Sequence, residues 1–272
     1  MAIALYETAK KNPLTAHIMF SLLEWINSGY RAYYLSKILP IDFPDMHDKT
    51  VIISVAFNNP TLVEKQIELI KKFSDEDTVF VVADNSSVQE KRKENEAVCK
   101  KTGTLYVGLP KNPRKQPSLN HGIALNWIYA NFVRKIKPFS FGFIDHDIFP
   151  TGKITAQEIL KKYPLYGLRQ ERALNSKTMW YMWAGYCFFR YDFIKDNRLN
   201  FSSVVVSDWH GYCGLDTGGG NWRIFKDITA GDISFAKQTS FQDGSEQLDE
   251  WYHIRKSSEK GLERISSKLQ EI

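Results

Sequence analysis

The sequence predicts an α/β fold in which a mostly parallel sheet is flanked by helices. Two β-branched runs, residues 50–57 (TVIISVAF) and 78–83 (TVFVVA), are typical of strands that are buried on both faces. Helix-like segments separate these runs from each other and from later strands, and such alternation is typical of βαβ units. The chain of 272 residues is long enough for one large domain with a well-buried core.

The other elements follow in order along the chain. After residue 150 the alternation loosens, which predicts an α+β second half. The Gly-rich segment 211–225 is predicted to lead into or cap a helix, and a helical tail is predicted from about residue 259. The remaining predicted elements are the helices 60–73, 88–101, 118–134 and 154–162 and the strands 104–107, 139–144, 165–169 and 180–190.

Residues 1–48 are predicted to form a helical N-terminal extension. Apolar residues recur at helical spacing through 14–39, with a break expected at Asn27-Ser28-Gly29. One interpretation is an extension packed on the core, and the other is a helix pair that binds a membrane surface peripherally or binds a partner. Glu24 interrupts the apolar face and the polar face is not strongly basic, which favours packing on the core. Residues 49–150 and 151–272 then form the two halves of one continuous domain that extends over 49–260.

Composition excludes several classes of protein. The net charge of +5 comes from Lys and Arg residues spread along the chain, so no nucleic-acid partner is predicted. Three widely spaced cysteines favour a reducing compartment and no structural zinc. No signal peptide or long apolar span is recognised. We therefore expect a cytoplasmic protein, with peripheral contact to the inner face of the membrane as the alternative.

Candidate binding residues follow the predicted strands, because ligands of open parallel sheets bind beyond the carboxyl ends of the strands. Phe57 and Asn58 follow the first strand, Asp84 follows the second, and Asp145-His146-Asp147 follows the fourth. Neither a Gly-x-Gly-x-x-Gly loop nor a P-loop follows the first strand. A bound diphosphate would need another counter-charge, and Mg²⁺ or Mn²⁺ held by carboxylates would provide it.

This ordered set of motifs resembles the GT-A-fold glycosyltransferases, nearest to the large family 2 group. The resemblance covers about residues 50–150 well and the rest loosely. It implies a GT-A-like fold and transfer of a sugar from a nucleotide-diphosphate donor, most simply UDP-linked, to a glycan or other hydroxyl acceptor, with Mn²⁺ or Mg²⁺. The motifs are Phe57-Asn58, Asp84-Asn85-Ser86-Ser87, Ser118-Leu119-Asn120-His121-Gly122 and Phe143-Ile144-Asp145-His146-Asp147.

The resemblance also implies roles for individual residues. Asp84 would bind the nucleobase, and Asn120 and Gly122 would lie near the donor. Asp147 would be a direct metal ligand, and Asp145 either a second ligand or a contact to the donor ribose. The alternatives are a turn residue at Asp84, a helix cap at Asn120 and a solvated loop at the acidic pair.

The second half contributes further candidates by the same resemblance. His253 would be the third metal ligand, or else a partly buried core histidine. Arg255 and Lys256 would then contact the diphosphate. Trp183 and Gly185, in Trp183-Ala184-Gly185-Tyr186, would line the donor sugar.

An inverting enzyme needs a general base for the acceptor hydroxyl. Asp216, which precedes a Gly-rich turn, is favoured over Asp208 for this role, and a retaining enzyme would need neither. A haloacid-dehalogenase-like phosphatase also carries Asp-x-Asp after a strand, but there the motif opens the domain. A non-catalytic sugar- or nucleotide-binding protein on the same fold is the third hypothesis.

Overall fold

The structure is a computed structural model that describes residues 11–40 and 43–254. The principal helices are α1 (Pro13–Leu35), α2 (Pro60–Phe73), α3 (Gln89–Thr102), α4 (Pro117–Ile128) and α5 (Ala156–Lys162). The strands are β1 (Thr50–Ala56), β2 (Thr78–Asp84), β3 (Leu105–Gly108), β4 (Ser140–Asp145), β5 (Ile148–Pro150), β6 (Leu165–Leu174), β7 (Lys177–Arg190), β8 (Val204–Asp208), β9 (Gly211–Leu215), β10 (Ile233–Phe235), β11 (Gln238–Ser240), β12 (Glu246–Leu248) and β13 (Trp251–His253).

A seven-stranded sheet in the order β10-β6-β7-β4-β1-β2-β3 forms the centre of the molecule. Strands β4, β1, β2 and β3 are parallel neighbours, β10 is parallel to β6, and β7 runs antiparallel between β6 and β4. Every residue of β1 is buried, as its continuous apolar run predicts. The predicted α/β class with a mostly parallel sheet is confirmed, and the sheet draws strands from both halves of the chain.

The register of the sheet aligns the carboxyl ends of its parallel strands. Ala56 at the end of β1 pairs with Asp84 of β2, and Val55 pairs with Asp145 of β4. The β6–β7 hairpin continues past this edge, since β7 pairs with β4 only as far as Tyr186 and with β6 from Lys177. The strand ends and the projecting hairpin therefore border one crevice, where the sequence predicts the ligand.

Two smaller sheets, which the sequence did not predict, complete the second half. A four-stranded sheet in the order β11-β12-β13-β5 joins the end of the described chain to the short strand after β4. Strands β8 and β9 form a separate antiparallel hairpin. Strand β9 lies within the segment 211–225, and β8 lies just before it. The predicted strands 165–169 and 180–190 are longer than expected, because they form one hairpin.

Helix α1 is continuous from Pro13 to Leu35, so the predicted break at Asn27-Ser28-Gly29 is wrong. Asn12 caps its first turn by accepting hydrogen bonds from two backbone N–H groups. Its buried side chains Ala16, Phe20 and Tyr34 face the body of the protein, where α1 packs against β8, β9 and α4. Among the described residues, no helix combines the length and apolar character that crossing a membrane requires.

The predicted long helix 118–134 consists of α4, a π-helical turn at residues 129–133 and a short last turn. The predicted helical tail after residue 259 lies outside the described residues.

Candidate functional site

The acidic turn Asp145-His146-Asp147 connects β4 to β5 at the crevice. The fully buried Gln66 of α2 holds it, because its amide nitrogen donates to the backbone oxygens of Asp145 (2.9 Å) and Ile148 (2.7 Å). A polar residue on the apolar face of α2 thereby fixes the backbone on both sides of the turn. The core therefore holds the backbone of the acidic turn in place.

His253 lies beside this turn because β13 pairs with β5. His253 is opposite Ile148 in the register, and the backbone N–H of Ile254 donates to the oxygen of Asp147 (3.0 Å). The imidazole Nε2 is 3.7 Å from Asp147 Oδ1, and Nδ1 is 3.2 Å from Oε2 of the buried Glu246. Asp147 and Glu246 therefore occupy opposite sides of one buried ring.

The titratable groups around the turn affect one another. Burial raises the pKa of Asp145, and the negative charge of Asp147 adds to this, while His121 opposes it from 3.5 Å. Burial alone would lower the pKa of His253, but the hydrogen bond with Glu246 and the charges of Asp147 and Asp145 raise it. The cluster thus holds more negative charge than its buried surroundings stabilise, and it favours a cation.

The residues of this cluster fit a divalent cation whose coordination a ligand completes. Within residues 11–40 and 43–254, no three His, Cys, Asp or Glu side chains are grouped to hold a metal by themselves. Asp145 Oδ1 is nevertheless buried without a hydrogen-bond partner among the described residues. Mg²⁺ characteristically takes one or two carboxylates and completes its shell with water and substrate phosphates. Asp145, Asp147 and His253 would be the protein's share of such a shell.

Asp84 lies at the crevice edge of β2, but its carboxylate points inward and is fully buried. It accepts hydrogen bonds from the N–H of Ser86 (2.8 Å), from Asn95 Nδ2 (3.1 Å) and from the Tyr106 hydroxyl (3.0 Å). In this structure Asp84 therefore organises the turn after β2 instead of facing a ligand. The turn alternative describes this residue better than the contact to a nucleobase that the resemblance implies.

Phe57 and Asn58, at the end of β1, have different surroundings. Asn58 adopts a positive φ of 51°, and its side-chain oxygen accepts from the N–H groups of Ser87 (3.0 Å) and Val88 (3.1 Å). It ties the end of β1 to the start of α3. Phe57 is 41% exposed and can present its ring to a ligand.

Asn120 and Gly122, predicted to lie near the donor, secure α4 to its neighbours. The Asn120 side chain donates to the backbone oxygen of Arg114 (2.6 Å) and accepts from Asn85. A Cβ on Gly122 would lie 2.7 Å from the Cα of Ser202, so only glycine fits. Both residues position the first turn of α4 and the loop before it, residues 110–116, which carries Lys111, Arg114 and Lys115 and is called the basic loop. The side chain of this motif that faces the acidic turn is His121, whose Nε2 lies 3.5 Å from Asp145 Oδ1.

Trp183 and Gly185 form a wall of the crevice on β7. A Cβ on Gly185 would lie 2.3 Å from the Trp183 indole, so the glycine allows the ring to lie over the backbone. The His253 ring also lies beside this indole, with centroids 5.2 Å apart. Tyr186, by contrast, is fully buried and hydrogen-bonds the Tyr166 hydroxyl at 2.9 Å.

The two candidate bases have different surroundings. Asp216 is exposed, and its loop lies along β7, because the Thr217 oxygen accepts from the N–H of Ala184 (3.1 Å). Asp208 lies in the β8–β9 turn, where it accepts from the N–H of His210 (2.8 Å) and from Asn175. These hydrogen bonds, led by that from His210, lower the pKa of Asp208. Its carboxylate stabilises a turn and is a weak base, so Asp216 remains the candidate.

Two predicted diphosphate contacts, Arg255 and Lys256, lie outside the described residues. A cavity of about 560 Å³ lies at the opposite, amino-terminal edge of β4 and contains none of the predicted site residues. The residues that the structure brings together are thus Asp145, Asp147 and His253, with Trp183 against the His253 ring. Gln66, Glu246 and His121 are the supporting residues that the sequence did not identify.

No protein-family model matches the chain. A search of curated proteins also finds no match. Solved structures with a similar fold include S. aureus TarS, at 14% identity, TM-score 0.38, over 56% of this chain and 30% of that chain. A second is the mannosyltransferase PcManGT from Pyrobaculum calidifontis in complex with GDP-Man and Mn²⁺, at 16% identity, TM-score 0.41, over 72% and 59%.

A third similar structure is glucosyl-3-phosphoglycerate synthase from Mycobacterium tuberculosis in complex with Mn²⁺ and UDP, at 14% identity, TM-score 0.43, over 69% of each chain. The present chain spans less than two thirds of the TarS and PcManGT chains. At this distance a shared architecture does not decide an activity, which depends on the side chains in the crevice.

Proposed function

We propose that the protein is a GT-A-type glycosyltransferase that moves a sugar from a nucleotide-diphosphate sugar to a hydroxyl acceptor with the help of Mn²⁺ or Mg²⁺. The observation that carries the proposal is the acidic turn, in which Asp147 is buried, with the buried His253 beside it. Two carboxylates in these surroundings need a counter-charge, and a diphosphate in a crevice without a Gly-rich loop needs one as well. One divalent cation serves both.

The protein's side chains would divide the work of holding the donor. Asp147 and His253, with Asp145, would hold the cation, which would supply Lewis-acid stabilisation of the leaving diphosphate. His121, 3.5 Å from Asp145, would set the charge of that carboxylate. Phe57 would stack on the nucleobase, uracil in a UDP-linked donor, because its ring is exposed at the end of β1 and Asp84 is buried.

The β7 side of the crevice would hold the sugar and the acceptor. Trp183 presents an aromatic face beside His253, and such faces pack against the C–H groups of sugars. Asp216 is exposed on the loop along β7 and would take the acceptor's hydroxyl proton in an inverting reaction. The Gly218 backbone, whose Cβ position is 2.2 Å from the Met182 oxygen, keeps this loop against β7.

A screen of nucleotide sugars tests the proposal. Purified protein is incubated with UDP-linked and GDP-linked sugars and Mn²⁺, and release of the nucleoside diphosphate is measured, with EDTA as the metal-free control. We expect release from at least one donor, and we expect Asp147→Ala to abolish it while its melting temperature stays close to that of the wild type. Near-full turnover by folded Asp147→Ala would show that the metal assignment is wrong.

A further inference from the structure

Helix α1 carries a continuous apolar surface that nothing in the described protein covers. Its exposed members recur at helical spacing, and we call them the exposed stripe. Ile18 is 58% exposed, Leu22 56% and Trp25 74%. The opposite face packs on the protein, so the helix is anchored independently of this stripe. The stripe consists of Leu14, Ile18, Leu22, Trp25, Ile26 and Tyr33.

Trp209 at the tip of the β8–β9 hairpin extends this surface. Its ring lies against His17 of α1, with centroids 4.8 Å apart, and it remains 62% exposed. Of the two exposed tryptophans, Trp209 therefore lies beside the first turns of the helix and Trp25 at the middle of the stripe. Tryptophan and tyrosine are enriched where apolar and aqueous phases meet, because each ring has an apolar body and a polar edge.

The charges around the stripe are basic. Glu24 is the only acidic residue between positions 11 and 40 of the sequence, and Arg31 is 3.8 Å from it. Lys37 lies 4.7 Å over the Tyr33 ring at the end of the stripe. Arg114 of the basic loop lies 4.3 Å over the Tyr30 ring, and its loop neighbours Lys111 and Lys115 are exposed.

The basic side chains near the stripe distinguish between two partners that could cover it, a second copy of the protein and a lipid surface. A parallel twofold pairing of two such helices would bring two sets of these basic side chains together, whereas anionic lipid headgroups would neutralise them. An amphipathic helix that lies in a membrane interface also combines Trp and Leu on one face with Lys and Arg at its flanks.

We propose that the exposed stripe and Trp209 form a docking face for an anionic phospholipid surface. Apolar side chains would enter the headgroup boundary, and Lys37 and the basic loop would contact the lipid phosphates. Because α1 packs against α4, which carries His121 at the crevice, docking would hold the crevice beside the membrane. The protein would then meet its hydroxyl acceptor at a lipid surface.

Co-sedimentation with vesicles tests this proposal without any donor or acceptor. The full chain is mixed with vesicles of phosphatidylcholine, or of equal parts phosphatidylcholine and phosphatidylglycerol. We expect binding to the anionic vesicles that weakens in high salt. The variant Ile18→Ser/Leu22→Ser/Trp25→Ser should lower the partition coefficient by at least about tenfold. Tyr163→Ser, which removes a 37% exposed aromatic ring away from α1, is the matched control for Trp25→Ser and should bind as the wild type does.

Three results would overturn the proposal. One is a wild-type protein that stays in the supernatant with both kinds of vesicle, and another is equal binding to neutral and anionic vesicles. The third is a wild-type dimer that the triple variant converts to a monomer without any vesicle binding, since a second copy would then occupy the stripe. Melting curves confirm that the variants fold. Vesicle binding is measured without turnover, so its outcome is separate from that of the sugar-transfer assay.

Discussion

Glu246→Gln removes the carboxylate behind His253 and changes the volume of the side chain very little. In the wild type, Oε2 is paired with His253 Nδ1 (3.2 Å), and Oε1 accepts from Gln238 (2.7 Å) and Ser240 (3.3 Å). A glutamine that keeps its oxygen toward Gln238 and Ser240 must present its NH₂ group to His253. The imidazole would then accept at Nδ1 and carry its proton on Nε2, the atom that faces Asp147.

A proton on Nε2 prevents that nitrogen from binding a metal. Loss of such a supporting carboxylate characteristically lowers metal affinity about 10- to 100-fold. This corresponds to about 1.4 to 2.8 kcal/mol. Titration calorimetry of Mn²⁺ in the presence of UDP measures the change directly.

Glu250→Gln is the matched control for this experiment. Glu250 is the last residue of the turn before β13, and its carboxylate accepts from the N–H (3.0 Å) and hydroxyl (2.9 Å) of Thr155 rather than from His253. We expect this variant to bind Mn²⁺ as the wild type does. Equal Mn²⁺ affinity in folded Glu246→Gln and wild-type protein would refute the role given to His253.

Three further predictions concern single side chains. Asp216→Asn should lower transfer by about 100-fold or more with UDP affinity unchanged, whereas Asp208→Asn should keep transfer and lower only the melting temperature; equal transfer by both variants would exclude Asp216 as the base. Asp84→Asn should destabilise the fold by about 1 to 3 kcal/mol in urea unfolding, because a buried acceptor becomes a donor. A selective loss of UDP affinity without loss of stability would instead indicate that Asp84 binds the nucleobase. Because the pKa of His253 is raised, its protonated form stabilises the metal-free fold below about pH 6.5. That contribution should disappear as pH rises through the folded-state pKa, and NMR titration of His253 should then show a midpoint above the ordinary value; a lower midpoint would contradict the interaction with Glu246.

The sequence predicted the frame of the site because that frame depends on local patterns. The apolar runs at residues 50–57 and 78–83 are strands, and parallel strands necessarily bring their carboxyl ends to one edge. Asp145 and Asp147 follow such a strand, so their placement in the crevice follows from the run before them. Whether they bind a metal stays a prediction.

Side-chain directions could not be predicted in the same way. Asp84 follows a buried strand as Asp145 does, but Asn95 and Tyr106 from other elements draw its carboxylate inward. Nothing in the sequence around Asp84 distinguishes the two cases. Whether the carboxylate points inward or into the crevice depends on a buried donor on a neighbouring helix or strand. The position of that donor depends on the tertiary fold.

The position of His253 beside the acidic turn depends on strands that are too short to show a sequence pattern. Strands β5, β12 and β13 have three residues each, which is too few for an alternation of apolar and polar residues to be recognised. The supporting roles of Glu246 and Gln66 are also hard to recognise in the sequence. Gln66 is a polar residue among Val63, Ile67 and Ile70 on the apolar face of a predicted helix, and such a residue needs a buried partner.

Calorimetric titration of UDP, with and without Mn²⁺, into the wild type and Asp147→Asn tests the central claim most directly. We expect Mn²⁺ to tighten UDP binding to the wild type, because the cation joins the acidic turn to the diphosphate. We expect no such effect in Asp147→Asn, whose melting curve serves as the folding control. Binding of UDP to the wild type that is the same with and without Mn²⁺ would contradict the claim.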